Sequence, residues 1–140
     1  MSTSSLAGVS GTSGSASAAI LVGSIFLSIM FILAGFSKLT AISATAGWFG
    51  SIGLPAPTVT AVVVGLVELV GGLAIAVGYQ TRIAAIVIAL FTVGATLIAH
   101  LDFADMTQQL FFMKNLSITG GLLILAAVGA GSLSVDGRRG

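Results

Sequence analysis

Four long apolar runs dominate this sequence and restrict what it can fold into. A helix that crosses a bilayer needs roughly 20 mostly apolar residues, because each residue adds about 1.5 Å to the helix length. Only 6% of the 140 residues are charged and 56% are hydrophobic, whereas a soluble domain carries about 25% charged residues. The sequence therefore predicts an all-α integral membrane protein, with spans at about 19–39, 58–78, 82–101 and 110–129.

The connections between the runs predict a four-helix bundle with both termini on the same side of the membrane. Only "YQTR" separates the second and third runs, so these two form a tight antiparallel hairpin. Basic residues near the span ends number three on the side of the termini and two on the other side, and the positive-inside rule then places both termini in the cytoplasm. The two groups are Arg82, Arg138 and Arg139 against Lys38 and Lys114.

The chain divides into a transmembrane domain at 19–131 and two polar ends. Residues 1–18, "MSTSSLAGVSGTSGSASA", have no charged and no aromatic side chain, a composition that is typical of a flexible tail. Residues 132–140 form a polar C-terminal tail.

The two longer connections on the far side are rich in aromatic residues. "AGWFGSIGLPAPT" predicts a short helix or turn at the level of the lipid headgroups, and the Gly-Leu-Pro-Ala-Pro break ends it before the second span. Four aromatic side chains are expected at this membrane interface: Trp48, Phe49, Phe111 and Phe112.

Glu68 lies almost at the centre of the second apolar run, "VVVGLVELVGGLAIAVG". A lone carboxylate in hydrocarbon costs roughly 3 kcal/mol on insertion scales, so such a residue usually faces a partner or a cavity. Spacings of three and four give each span one face of small and polar residues. The predicted faces are Ser24, Ser28, Phe31, Gly35 and Lys38 in the first span; Ala61, Gly65, Glu68 and Gly72 in the second; Ala85, Ala89, Thr92 and Thr96, followed by His100, in the third; and Lys114, Ser117, Gly121 and Leu125 in the fourth.

Basic side chains on the other spans are candidates to neutralise Glu68. Aligning the glycine pairs of "ELVGG" and "SITGG" puts Lys114 three residues from the level of Glu68, about 4.5 Å along the helix axis. We therefore expect Lys114 to pair with Glu68, with Lys38 as the second candidate. Snorkelling of both lysines to the headgroups is the structural alternative. The expected hydrogen-bond partners in this polar network are Asn115, Ser117 and His100.

The residue inventory excludes several kinds of site. A net charge of +1 without a basic stripe gives no surface for nucleic acid. The absence of cysteine and the presence of a single histidine exclude iron–sulfur clusters, thiol redox chemistry and a bis-histidine haem, and make a structural zinc site equally unexpected. No catalytic residue and no metal ligand are therefore assigned.

Five segments, taken in order, resemble the DoxX family of small bacterial membrane proteins. They are "FILAGFSKL", "WFGSIGLPAP", "VELVGGLAIAVGYQTR", the "AH" that ends the third span, and "MKNLSITGGLLILAAVGAGSLSVD". The resemblance covers nearly all of the chain from Ile20 to Asp136, and it implies a four-helix protein of the bacterial inner membrane. The polar residues that match by position are Lys38, Glu68, Arg82, His100, Lys114 and Asn115.

The resemblance also implies quinone-linked redox work. Family names link such proteins to terminal quinol oxidase and thiosulfate:quinone oxidoreductase subunits, and other members to membrane-associated oxidoreductase complexes. Because this chain has no residues for a conventional electron carrier, we expect an accessory subunit that is not an enzyme by itself. It would contact lipid and larger subunits and shape a quinone or lipid site. A small proton-coupled transporter and a pure scaffold subunit stay open as alternatives.

Overall fold

The computed structural model describes residues 14–139 and contains helices without any strand in that range. The helices are α1 (Gly14–Thr40), α2 (Ile42–Ser51), α3 (Pro57–Val77), α4 (Thr81–Ala99), α5 (Met106–Val128) and α6 (Val135–Arg139). α1, α3, α4 and α5 are each long and apolar enough to cross a membrane. The predicted all-helical fold with four spans is confirmed.

Two helices begin earlier than the apolar runs because polar residues form their first turns. α5 starts at Met106 and not at residue 110, since the Asp105 carboxylate accepts a hydrogen bond from Thr107 N at 2.9 Å and caps the helix. α1 starts at Gly14, so residues 14–18 of the expected N-terminal tail are helical. The rest of that expected tail, residues 1–13, lies outside the described residues.

α1 and α3 pack with their backbones in close contact. A Cβ atom on Gly35 would lie 2.5 Å from Leu69 N, and one on Gly72 would lie 3.0 Å from Ile32 N. Glycine at these positions lets the two backbones touch, as small residues do in other membrane helix pairs. Because the helices are antiparallel, this contact brings Lys38, near the end of α1, close to the middle of α3.

The apolar core lies between the four spans, in the half of the bundle nearer to the ends of the chain. Its buried members are Phe31, Ile75, Ala85, Ile88, Ala89, Leu122 and Leu125. The outer surface is apolar as well, and Phe26, Leu90 and Leu116 have 65–73% of their surface exposed. In a bilayer such side chains face lipid tails, which are as apolar as they are.

The C-terminal segment packs over the turn between α3 and α4. The Asp136 carboxylate accepts hydrogen bonds from the backbone N–H groups of Gln80 at 2.8 Å and Thr81 at 2.9 Å. It therefore caps α4 in the way that an N-cap aspartate does, although it comes from a distant part of the chain. Residues 135–139 of the expected polar tail form α6.

Both ends of the described chain lie at this end of the bundle. Ser132 Oγ donates to Ser17 Oγ at 2.8 Å, which ties the segment after α5 to the start of α1. Arg82 Nη1 donates to the Ala127 carbonyl at 2.7 Å, so this arginine stabilises the C-terminus of α5 in addition to carrying charge. The cytoplasmic location of this end stays a prediction.

Gly35→Ala is expected to lower the thermal stability of the protein in detergent. The new Cβ atom would lie 2.5 Å from Leu69 N, and a backbone atom cannot move away without shifting its helix. Overpacking of this kind typically costs about 1–3 kcal/mol of unfolding free energy. Gly23→Ala in the same helix is the matched control, since nothing lies within 4 Å of a Cβ atom there. Equal unfolding midpoints by circular dichroism for the two variants would contradict the close α1–α3 contact.

Candidate ligand-binding site

Lys38 and Glu68 form an ion pair inside the bundle, with 2.8 Å between Nζ and Oε1. The Glu68 side chain is only 6% exposed, whereas the Lys38 side chain is 24% exposed. Glu68 lies on the face of α3 that the sequence predicts to be inward, together with the buried glycines Gly65 and Gly72. The carboxylate therefore faces a partner and not the lipid.

The direction of helical side chains explains how these two residues meet. The contact of Gly35 with Leu69 places Lys38 level with about residue 66 of α3, so about 3 Å along the axis separates it from Glu68. Side chains in an α-helix lean towards the N-terminus of their own helix. In an antiparallel pair this lean moves the ammonium and the carboxylate towards each other.

The expected pairing of Glu68 with Lys114 is wrong. Lys114 Nζ lies 4.6 Å from the centroid of the Phe111 ring, which is a cation–π distance. Among the residues that the structure describes, no carboxylate lies within 4.0 Å of this ammonium. Glu68 is paired with Lys38, the second candidate.

The rotation of α5 about its axis explains the difference. Ile118, Leu122 and Leu125 of α5 pack into the core, whereas the sequence pattern favoured Ser117 and Gly121 on that face. Neighbouring residues are about 100° apart around a helix, and Leu125 belongs to both faces, so the observed inward face is turned by less than that angle, by roughly 60°. Ser117 is consequently exposed and donates to a carbonyl of its own helix at 3.1 Å. It takes no part in the polar network.

The same rotation brings Asn115 into the bundle. Its Nδ2 donates to Thr96 Oγ1 on α4 at 2.9 Å. Thr96 Oγ1 in turn donates to the Thr92 carbonyl at 2.6 Å, and both threonines are buried. This chain of hydrogen bonds holds α5 against α4.

His100 follows the last residue of α4 and is half-buried beside Phe111, with 5.1 Å between the ring centroids. Its Nδ1 lies 2.8 Å from Gln108 Oε1. An amide oxygen can only accept a hydrogen bond, so Nδ1 is the nitrogen that carries the hydrogen in this arrangement. The sequence does not indicate Gln108 as the partner of His100, because polar residues are common in the first turn of a helix and their spacing does not show what they contact.

These polar side chains line one cavity of about 460 Å³, which is within the range of small-molecule pockets. α1 and α3 contribute the polar side chains of Lys38, Thr60 and Glu68. α4, α5 and the residue after α4 form a second side with further polar groups. Most of the remaining lining is apolar. The polar members from that second side are Thr92, His100, Lys114 and Asn115, and the apolar members include Met30, Phe31, Val64, Phe91 and Ile98.

The aromatic residues expected at the interface occupy different environments. Trp48 is 48% exposed and Phe49 only 4%, and both line the cavity from α2. The Phe49 ring is therefore buried in the protein, and the interfacial position of these aromatic residues stays a prediction. Phe111 and Phe112 lie near the start of α5 and pack against neighbouring rings.

Comparisons with known proteins identify the family of the chain. Residues 19–101 match the family model described as DoxX. The chain belongs to the DoxX family. A DoxX-type relative named "Inner membrane protein YqjF", from Escherichia coli (strain K12), is 40% identical over 117 residues, which cover 84% of this chain and 88% of the relative.

Two further relatives are more distant. "Inner membrane protein YphA" from the same strain is 32% identical over 125 residues, covering 85% of this chain and 89% of that protein. "Putative oxidoreductase CatD" from Bacillus subtilis (strain 168) is 34% identical over 112 residues, with 77% of each chain covered. No solved structure matches this DoxX chain. The names of the two E. coli relatives and the four apolar helices support a multi-pass inner membrane protein.

Removing either partner of the ion pair is expected to destabilise this DoxX bundle, but to different degrees. Lys38→Met leaves a carboxylate buried without a counter-charge, whereas Glu68→Gln leaves an ammonium that is already 24% exposed. Loss of one partner of a buried pair costs about 3–5 kcal/mol, and the partial exposure of Lys38 reduces the expected value below that. Unfolding midpoints in detergent should therefore fall further for Lys38→Met than for Glu68→Gln.

Lys114→Met is the control for this comparison, since the described residues include no carboxylate beside Lys114. The double variant Lys38→Met/Glu68→Gln should be more stable than Lys38→Met alone, because it leaves no unpaired charge. A Lys38→Met midpoint equal to that of Lys114→Met would show that the ion pair does not stabilise the bundle.

Proposed function

We propose that this DoxX protein binds a lipid-soluble quinone inside the membrane and serves as an accessory subunit of a membrane electron-transfer complex. The observation that carries the proposal is the Lys38–Glu68 ion pair in the wall of a largely apolar cavity of about 460 Å³. The name of one relative, "Putative oxidoreductase CatD", supports a redox setting.

The lining of the cavity suits a quinone headgroup. The aromatic and aliphatic side chains, such as Phe31 and Phe91, match an apolar ring and its hydrocarbon tail. A quinone accepts hydrogen bonds through two carbonyl oxygens, and the lining contains the Lys38 ammonium and the Asn115 amide as donors. The two donors come from different helices, α1 and α5, so the cavity has polar groups on more than one side.

A bound quinone supplies two-electron chemistry that is coupled to the uptake or release of two protons. Glu68 has the position of a proton-exchanging group, because its carboxylate lies in the cavity wall and is otherwise shielded from solvent. Lys38 has three N–H groups, so it keeps donors for a carbonyl oxygen while it is paired with Glu68. The chain has no cysteine and a single histidine, so we infer that electrons are exchanged with redox groups of partner subunits.

Quinone binding can be followed through Trp48, the sole tryptophan of the chain, which lies in the cavity lining. A short-chain benzoquinone titrated into the protein in nanodiscs should quench Trp48 emission to a saturating level. Lys38→Met should weaken the apparent affinity about tenfold or more, since a hydrogen bond to a charged group contributes about 1.5–3 kcal/mol.

Ser117→Ala is the matched control for the titration, because Ser117 lies on a span but outside the cavity. Asn115→Leu is a second donor variant that keeps the test valid if Lys38→Met does not fold. Quenching that never saturates and is equal in all folded variants would overturn the quinone site.

The accessory role predicts stable partners in the native membrane. Purified from that membrane in mild detergent, the protein should copurify with subunits whose absorption spectra show haem, flavin or iron–sulfur groups. Glu68→Gln should keep these subunits and lower quinone turnover by the complex. A monodisperse, cofactor-free protein without partners would contradict the accessory role, and unchanged turnover in Glu68→Gln with reduced stability would favour a pure scaffold.

A further inference from the structure

A second polar cluster lies on the α4–α5 side of the cavity, apart from the Lys38–Glu68 pair. We call His100, Phe111, Lys114 and Asn115 the outer cluster. The Phe111 ring has Lys114 Nζ 4.6 Å from its centroid and the His100 ring 5.1 Å away. His100, Lys114 and Asn115 all belong to the cavity lining. The Phe111 ring therefore contacts both the Lys114 ammonium and the His100 imidazole at the same wall of the cavity.

The cavity lining carries a net positive charge, which comes from Lys114 of the outer cluster. Lys38 and Glu68 neutralise each other within their ion pair. Lys114 adds a charge for which the described part of the chain provides no carboxylate within 4.0 Å, and Glu68 is the one carboxylate in the described lining. Lys114 is itself exposed, so its ammonium is accessible to an anion that enters the cavity.

The outer cluster also offers directed hydrogen-bond donors. The Lys114 ammonium has three N–H groups, and contact with the Phe111 ring restricts where it lies. The Asn115 amide has two N–H groups, of which one donates to Thr96 Oγ1. Phosphate and carboxylate oxygens accept several such bonds at once, and those from an ammonium are among the stronger ones.

We infer that the outer cluster binds the anionic phosphate or carboxylate group of an amphiphile, with the apolar chain of the ligand in the cavity. Apolar lining residues within three turns of His100 on α4, such as Phe91 and Ile98, provide contacts for that chain. The inference does not depend on quinone binding, because its charged group, Lys114, is not one of the proposed quinone donors, although Asn115 belongs to both sites. The anionic group belongs to a lipid headgroup or to a soluble ligand, and the two sources can be separated by experiment.

In the test, the protein in neutral phosphatidylcholine nanodiscs is titrated with three probes while Trp48 emission is recorded. Dodecyl phosphate carries the anion and a chain, inorganic phosphate carries the anion alone, and dodecylphosphocholine carries the same chain without net charge. Dodecyl phosphate should bind saturably and about tenfold more tightly than dodecylphosphocholine, whereas inorganic phosphate should give no response. A saturable response to inorganic phosphate would keep the anion site and assign it to a soluble ligand.

Lys114→Met should weaken dodecyl phosphate binding about tenfold, which corresponds to about 1.4 kcal/mol. Lys114→Arg retains the charge and should restore most of the affinity. Arg138→Met is the matched control, since it removes one positive charge at the opposite end of the bundle. Equal affinity for dodecyl phosphate and dodecylphosphocholine, or unchanged binding in folded Lys114→Met, would overturn the inference. If the short-chain benzoquinone does not quench Trp48 emission to a saturating level while dodecyl phosphate still binds, only the proposed quinone site is overturned.

Discussion

α1 and α3 meet backbone to backbone at Gly35 and Gly72, and this contact brings the Lys38 ammonium within 2.8 Å of the Glu68 carboxylate. In lipid, apolar side chains gain little by contacting each other, because hydrocarbon tails are equally apolar. Close packing of small residues and polar links between helices therefore carry much of the association. Bulkier residues at these two positions would separate the helices and leave Glu68 without its partner in a setting where an unpaired carboxylate is costly.

The bundle has two halves with different character. Near the ends of the chain, Phe31, Ile75 and Leu122 form a packed apolar core, and Asp136 closes that end by capping α4. In the other half the helices surround a cavity, and α2 contributes Trp48 to its lining. A compact half that holds the spans in register allows the other half to keep an open space without collapse of the bundle.

The cavity contains two polar sites of different charge. The Lys38–Glu68 pair is neutral as a whole and is held between α1 and α3, while Lys114 on α5 provides a positive charge supported by Phe111. Most of the remaining lining is apolar, so the cavity as a whole favours ligands that combine an apolar body with oxygen acceptors. The residues of the site determine this preference, since membership of the DoxX family does not by itself identify a reaction.

The sequence by itself determined the number of spans, the inward faces of α1, α3 and α4, and the need of Glu68 for a partner. Hydropathy and helical spacing are local properties, and on those three helices small and polar residues mark the inward face clearly. Ser24 and Ser28 on α1 and Thr92 on α4 are buried as their spacing predicts.

Only the tertiary structure decided which lysine pairs with Glu68. In a membrane helix both the lipid-facing and the core-facing sides are apolar, so hydropathy did not distinguish the Ile118 and Leu122 face of α5 from its neighbours. The rotation of α5 follows from how those two side chains pack against the other spans, and it turns Ser117 outwards and Asn115 inwards. The approach of α1 to α3, which selects Lys38, likewise depends on contacts between residues far apart in the chain.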